Sequence, residues 1–126
     1  DYAHHPGELH ALLSSVKTMG YDRILCAFQP HTYTRTRAFL KDFASALSLA
    51  DKVILADIYA AREKDPGDIS SADLARELEK LGKEVHYLRS FDEIEKFILK
   101  NLVNGDLLIT MGAGNIVEIG ENLLNN

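Results

Sequence analysis

The stretch Arg23-Ile24-Leu25-Cys26-Ala27-Phe28-Gln29-Pro30-His31-Thr32-Tyr33-Thr34-Arg35-Thr36-Arg37 joins a short apolar run to a segment holding an imidazole, several hydroxyls and two guanidiniums. Five apolar residues bounded by turn formers read as a buried parallel strand. Pro30 disfavours a helical conformation at Gln29, so the strand ends there and the chain leaves the sheet at its carboxyl edge. In an open α/β sheet that edge is where ligands sit. A helix from about Thr34 to Leu49 then offers free N–H groups beside Arg35 and Arg37, and the segment reads as a site for an anion.

Working outward, the same alternation recurs. Leu9, Leu12, Leu13 and Val16 fall at helical spacing between Pro6 and Gly20, which predicts a helix over Pro6 to Met19. Val53-Ile54-Leu55-Ala56 is a second buried strand, followed by a long polar loop over Asp57 to Asp68. Loops of that length in compact domains are more often functional than idle. Ser70 or Ser71 caps a helix closed by Gly82, and Glu84 to Leu88 is a third strand. Ser90 and Glu93 have capping-box spacing ahead of a helix whose apolar stripe is Ile94, Phe97, Ile98 and Leu102. Leu107 to Met111 forms the fourth strand, Gly112-Ala113-Gly114-Asn115 a tight turn, and Ile116 to Leu124 a closing helix.

Four strands alternating with helices predict an α/β fold: a Rossmann-like three-layer domain with a mostly parallel sheet and helices on both faces. The expected strand order is 3-2-1-4, which makes the first and fourth strands neighbours. The segment from Gln29 to Arg37 then faces the turn Gly112 to Asn115 across one crevice, where backbone N–H groups can approach an oxyanion. The turn lacks the third glycine of a dinucleotide fingerprint and the Lys-Ser/Thr of a P-loop.

The 126 residues suit one domain, and a formal charge of −5, from 14 Lys plus Arg against 19 Asp plus Glu, disfavours nucleic acid as the main partner. The one cysteine, Cys26, lies within an apolar run, which excludes an internal disulfide and suits a reducing compartment. No apolar run approaches the roughly 20 residues of a membrane span. These features predict a cytoplasmic protein without a membrane partner. The opening Asp1-Tyr2-Ala3-His4-His5-Pro6 is so rich in functional residue types that it suggests a piece of a larger protein.

Arg35 and Arg37 are two apart, so a helix cannot aim both at one point. One Arg forking a carboxylate or phosphate is the sharper reading. His4 and His5, adjacent in an extended segment, point to opposite sides and make poor joint metal ligands; no zinc spacing is present, and no metal site is expected. His31 is the better ligand contact, while His10 and His86 fall on a helix surface and a strand face. No Ser-His-Asp or Cys-His arrangement supplies a nucleophile, and no catalytic residue is assigned.

Asp1 to Pro6, Phe28 to Arg37, Asp57 to Glu63 and Gly112 to Ile116 together resemble, in the right order, the C-terminal domain of the Mur ligases. The resemblance covers essentially the whole chain. It implies that residues 1–126 are the amino-acid-binding third domain of a three-domain cytoplasmic enzyme of peptidoglycan synthesis. That enzyme joins L-alanine to UDP-N-acetylmuramate through an acyl phosphate, with ATP and Mg2+ held mainly by the preceding domains. It further implies ATP contacts at Asp1, Tyr2 and His5, and substrate contacts at His4, His31, Arg35, Arg37, Gly112, Ala113, Gly114 and Asn115. Arg35 would meet the alanine carboxylate. Thr32 stands where many members carry Arg, and Gly7 where Thr or Ser is more usual. The alternatives are a related Mur or peptide-recycling ligase, a stand-alone module for a small anion and, less favoured, a dinucleotide-binding domain.

Overall fold

The computed structural model describes residues 5–112 together with 116 and 119. The elements run α1 (Pro6–Lys17), β1 (Arg23–Gln29), α2 (Tyr33–Ala38), α3 (Leu40–Leu47), β2 (Lys52–Leu55), α4 (Ser71–Lys80), β3 (Glu84–Tyr87), α5 (Phe91–Asn101) and β4 (Asp106–Gly112). The strands form one sheet in the order β3-β2-β1-β4, as expected from the alternation, and every pair is parallel.

Alternation along β1 builds both faces of the sheet, because successive side chains point to opposite sides. Ile24, Cys26 and Phe28 enter one core with residues of α1, α3 and α4, including Leu9, Leu13, Phe43, Leu47, Leu74 and Leu78. Leu25 and Ala27 enter a second core with Ile54, Ile94 and Ile98, joined by Ile116 and Ile119. β1 is thus covered on both faces, which is the arrangement its unbroken apolar run requires. Burial pushes the Cys26 thiol up to about 12, so it is packing rather than chemistry.

Local chemistry sets the helix ends. Pro6 occupies the first turn of α1 behind His5, whose Nδ1 accepts from the Gly7 N–H at 3.2 Å. Ser70 and Asp73 form a reciprocal capping box on α4, and Ser90 accepts from the Glu93 N–H at 3.1 Å.

Two expectations need correction. The single helix foreseen from Thr34 to Leu49 is divided at Phe39 (φ −115°, ψ 24°). The Phe39 N–H still donates to the Arg35 carbonyl (3.0 Å) and its carbonyl accepts from Phe43 (2.8 Å), so the break is a bend. It accompanies packing of the Phe39 ring against the rings of His5 and Phe43. Leu102 is not part of the apolar stripe of α5: it caps the helix in an extended conformation and is 38% exposed. The greater part of the closing helix expected from Ile116 to Leu124 lies outside the described residues.

At the amino edge of the sheet Arg23 donates to both Asp106 oxygens, at 3.0 and 2.7 Å, and to the Asn101 carbonyl at 2.9 Å. The Arg23 hydrogen bonds, helped by the Val103 N–H at 2.9 Å, hold the Asp106 carboxyl down at about 2. An unfolded aspartate titrates near ~3.9. Ionised Asp106 therefore contributes stability above about pH 4, and that contribution is lost as pH falls through about 2. Urea unfolding from about pH 5 down to about pH 2 should show a shallower acid decline in Asp106→Asn than in the parent. Parallel declines would exclude this pair as a source of acid sensitivity.

Candidate functional site

The carboxyl ends of β1 and β2 are sewn together. Thr32 N–H donates to the Tyr59 carbonyl and Tyr59 N–H to the Pro30 carbonyl, both at 2.8 Å, and His31 and Tyr59 form an isolated parallel bridge. The His31 and Tyr59 rings lie 5.7 Å apart. Thr32 adopts φ 63°, a conformation that β-branched residues avoid. It holds that conformation through its own bonds: its Oγ1 accepts from the Arg35 N–H (3.2 Å) and its carbonyl accepts from the Thr36 hydroxyl (2.7 Å). Strain of this kind, over-determined by its surroundings, is a feature of ligand sites.

The tight turn at Thr32 sets the direction of α2, and α2 separates its two guanidiniums. Arg35 Nη1 lies 3.1 Å from His31 Nδ1. A guanidinium can only donate, so Nδ1 is the accepting nitrogen of the imidazole. Arg37 turns the other way and pairs with Asp68 of the long loop. It lines a cavity of about 240 Å³ with Tyr33, Thr34, Glu63, Lys64 and Pro66. Among the described residues no carboxylate pairs with Arg35. Its remaining N–H donors are suited to fork a carboxylate.

The start of α2 does not await an anion, contrary to the reading of its N–H groups as vacant. Glu63 Oε1 accepts from the Tyr33 N–H at 2.6 Å and the Thr34 N–H at 3.0 Å. The Thr34 side chain and these N–H groups hold the Glu63 carboxyl below its ordinary range. Residue-by-residue reading missed Glu63, Asp68 and Tyr59. The available signal was an acid-rich loop following a strand that neighbours an Arg-bearing helix start.

Gly112 ends β4 directly opposite Gln29 in the register, so the two segments foreseen as facing each other leave the sheet side by side. Its φ is 130°, and a Cβ there would overlap the Gln29 carbonyl oxygen. Gln29 is 8% exposed; its Nε2 donates to the Asp57 carbonyl at 3.2 Å, while its Oε1 has no hydrogen-bond partner among the described residues. His5 sits at the start of α1 with its ring 5.4 Å from that of Phe39. Asp1, Tyr2, His4, Ala113, Gly114 and Asn115 lie outside the described residues. Of the site residues expected from sequence, the structure brings His31 and Arg35 together, sets Gly112 at the same sheet edge, and directs Arg37 to Asp68 instead.

Residues 1–114 match the family model described as Mur ligase, glutamate ligase domain. The chain belongs to the Mur ligase family. Within that family it is 61% identical over 124 residues to the UDP-N-acetylmuramate–L-alanine ligase of Lachnoclostridium phytofermentans, covering 98% of this chain and 26% of that protein. It is 60% identical over 124 residues to the ligase of the same name from Agathobacter rectalis, covering 98% and 27%. The Mur ligase structure of Thermotoga maritima UDP-N-acetylmuramate-alanine ligase superposes with a TM-score of 0.76 at 28% identity, covering 99% of this chain and 25% of that one. The chain thus spans about a quarter of the length of the Mur ligases it matches.

Proposed function

We propose that the whole protein is an ATP-dependent ligase of cytoplasmic peptidoglycan synthesis, joining L-alanine to the lactyl carboxylate of UDP-N-acetylmuramate, and that this chain is its C-terminal, amino-acid-binding domain. The γ-phosphoryl group of ATP passes to the lactyl carboxylate, releasing ADP. The alanine amine then attacks the acyl phosphate, forming the amide and releasing inorganic phosphate. Such chemistry needs positioning and charge stabilisation more than a protein nucleophile.

The observation that carries the reading is Arg35, held 3.1 Å from His31 just past the carboxyl end of β1, at the sheet edge where Gly112 also lies. In this reading Arg35 forks the alanine carboxylate, His31 holds Arg35, and Gly112 to Asn115 offer backbone donors, with His4 beside the substrate. Arg37, occupied by Asp68, supports the loop and reaches substrate only if that pair opens. Asp1 and Tyr2 meet ATP with His5, whose Nδ1 already holds the Gly7 N–H and whose Nε2 is the ring nitrogen left for a nucleotide. Mg2+ belongs to the central domain, which together with the N-terminal domain closes on this one. No helix of the described residues is long and apolar enough to cross a membrane, in keeping with a cytoplasmic enzyme.

The test is ATP turnover by the full-length protein. ADP should accumulate in multiple turnovers only when UDP-N-acetylmuramate and L-alanine are both present. Equal turnover with a tripeptide in place of alanine would transfer the reading to a peptide-recycling ligase, and none with either would remove it.

A further inference from the structure

α2 is an unusual support for a binding residue. At six residues it is too short to be stable by itself. Its one buried residue is Thr36, so no apolar side chain anchors it to either core. Helices α1, α3, α4 and α5 each bury at least two apolar side chains, the main source of anchoring for a surface helix. The orientation of α2 is instead determined at its ends: by the bend at Phe39 on one side and by polar tethers on the other.

Most of those tethers come from one loop. Tyr59 accepts from Thr32, Asp68 pairs with Arg37, and Glu63 takes the first two N–H groups of the helix on a single oxygen. Ala61 adopts φ 55° two residues before Glu63, as the chain turns toward α2. The Asp68 pair is on the surface, with side chains 50% and 64% exposed, and such pairs contribute little. Glu63 is shielded further, and its bonds are charge-assisted and well directed.

We propose that Glu63 is a positioning residue: by accepting from the Tyr33 and Thr34 N–H groups it fixes the direction of α2, and through α2 it aims Arg35 at the substrate carboxylate. The assignment rests on Arg35 as the carboxylate contact. It also gives the loop between β2 and α4 a second task beside the contact of Tyr59 with His31: bracing α2. Glu63 itself touches no substrate. Its loss misplaces a binding group and leaves the reacting atoms alone, so it acts on the capture of alanine.

The test uses the full-length enzyme with L-alanine varied at saturating ATP and UDP-N-acetylmuramate. Glu63→Ala should raise the alanine KM about tenfold with kcat within about twofold, because a misplacement of even one ångström weakens an oriented contact. Glu63→Gln keeps a carbonyl oxygen as acceptor and should recover most of the loss. In an Arg35→Ala background, adding Glu63→Ala should change KM by less than about twofold, the non-additivity expected of residues acting through one another. An unchanged KM in Glu63→Ala, when Arg35→Ala alone raises it, overturns the Glu63 assignment and leaves the pocket intact. Full additivity of the two substitutions also overturns it, as does a kcat loss without a KM change. If Arg35→Ala leaves KM unchanged, the pocket reading fails first, and a rise in Glu63→Ala then shows an effect that does not pass through Arg35.

Discussion

Replacing Arg35 by alanine in the full-length protein should raise the KM for L-alanine by roughly 10- to 150-fold. The range follows from losing a hydrogen bond to a charged group, about 1.5–3 kcal/mol, at about 1.4 kcal/mol per tenfold. The other two anion-attracting features of α2 are already engaged. Arg37 leaves the opposite side of α2 toward Asp68. The start of α2, which would otherwise attract an anion, is occupied by Glu63. Arg35→Lys should fall between the parent and the alanine variant, because lysine keeps the charge and loses the fork. Initial rates with alanine varied at saturating ATP and UDP-N-acetylmuramate decide the matter. A KM within twofold of the parent in Arg35→Ala would remove Arg35 from the pocket.

The second large effect concerns the fold beneath the site. Gly112→Ala should cost about 2–6 kcal/mol, the sum of about 1–3 for a non-glycine backbone at φ 130° and about 1–3 for a forced overlap. The overlap is with backbone: the added Cβ meets the Gln29 carbonyl oxygen, with the carbonyl carbon and amide nitrogen at 3.1 Å. Gln29 is the pairing partner of Gly112, so neither strand can shift without breaking the register. Against a total of about 5–15 kcal/mol for a domain, the loss is a large fraction, and the melting midpoint should fall by on the order of 10 °C or more. Thermal unfolding followed by far-ultraviolet circular dichroism measures it. A fall of less than about 2 °C would mean that β4 ends without this close approach.

The sheet was legible because buried parallel strands write themselves as short apolar runs, and β1, β2 and β4 do so plainly. The placement of His31 and Arg35 at the carboxyl edge of the sheet was legible for a related reason: Pro30 ends a strand, and the chain leaves the sheet there. That Arg37 turns away to Asp68 was not legible in the residues themselves, because its partner lies 31 residues further along the chain. Glu63 was hidden in the same way. Its role depends on a positive φ at Ala61 and on β2 pairing beside β1, neither of which a local window contains. The bend at Phe39 escaped because the apolar pattern runs on across it, and the ring packing that accompanies it involves His5, the cap of α1, distant in sequence.

The pairing of β1 with β4 joins residues near position 25 to residues near position 108. A ribosome delivers the chain from its amino end, so the strand that leads into His31 emerges long before the one that must lie against it. Until β4 is out of the exit tunnel, one whole edge of β1 has no hydrogen-bonding partner and invites association with other nascent chains. Assembly of the rim that carries His31, Arg35 and Gly112 therefore waits for β4, and a message truncated before the codon for Asp106 yields a polypeptide that has the arginine but no completed sheet to hold it.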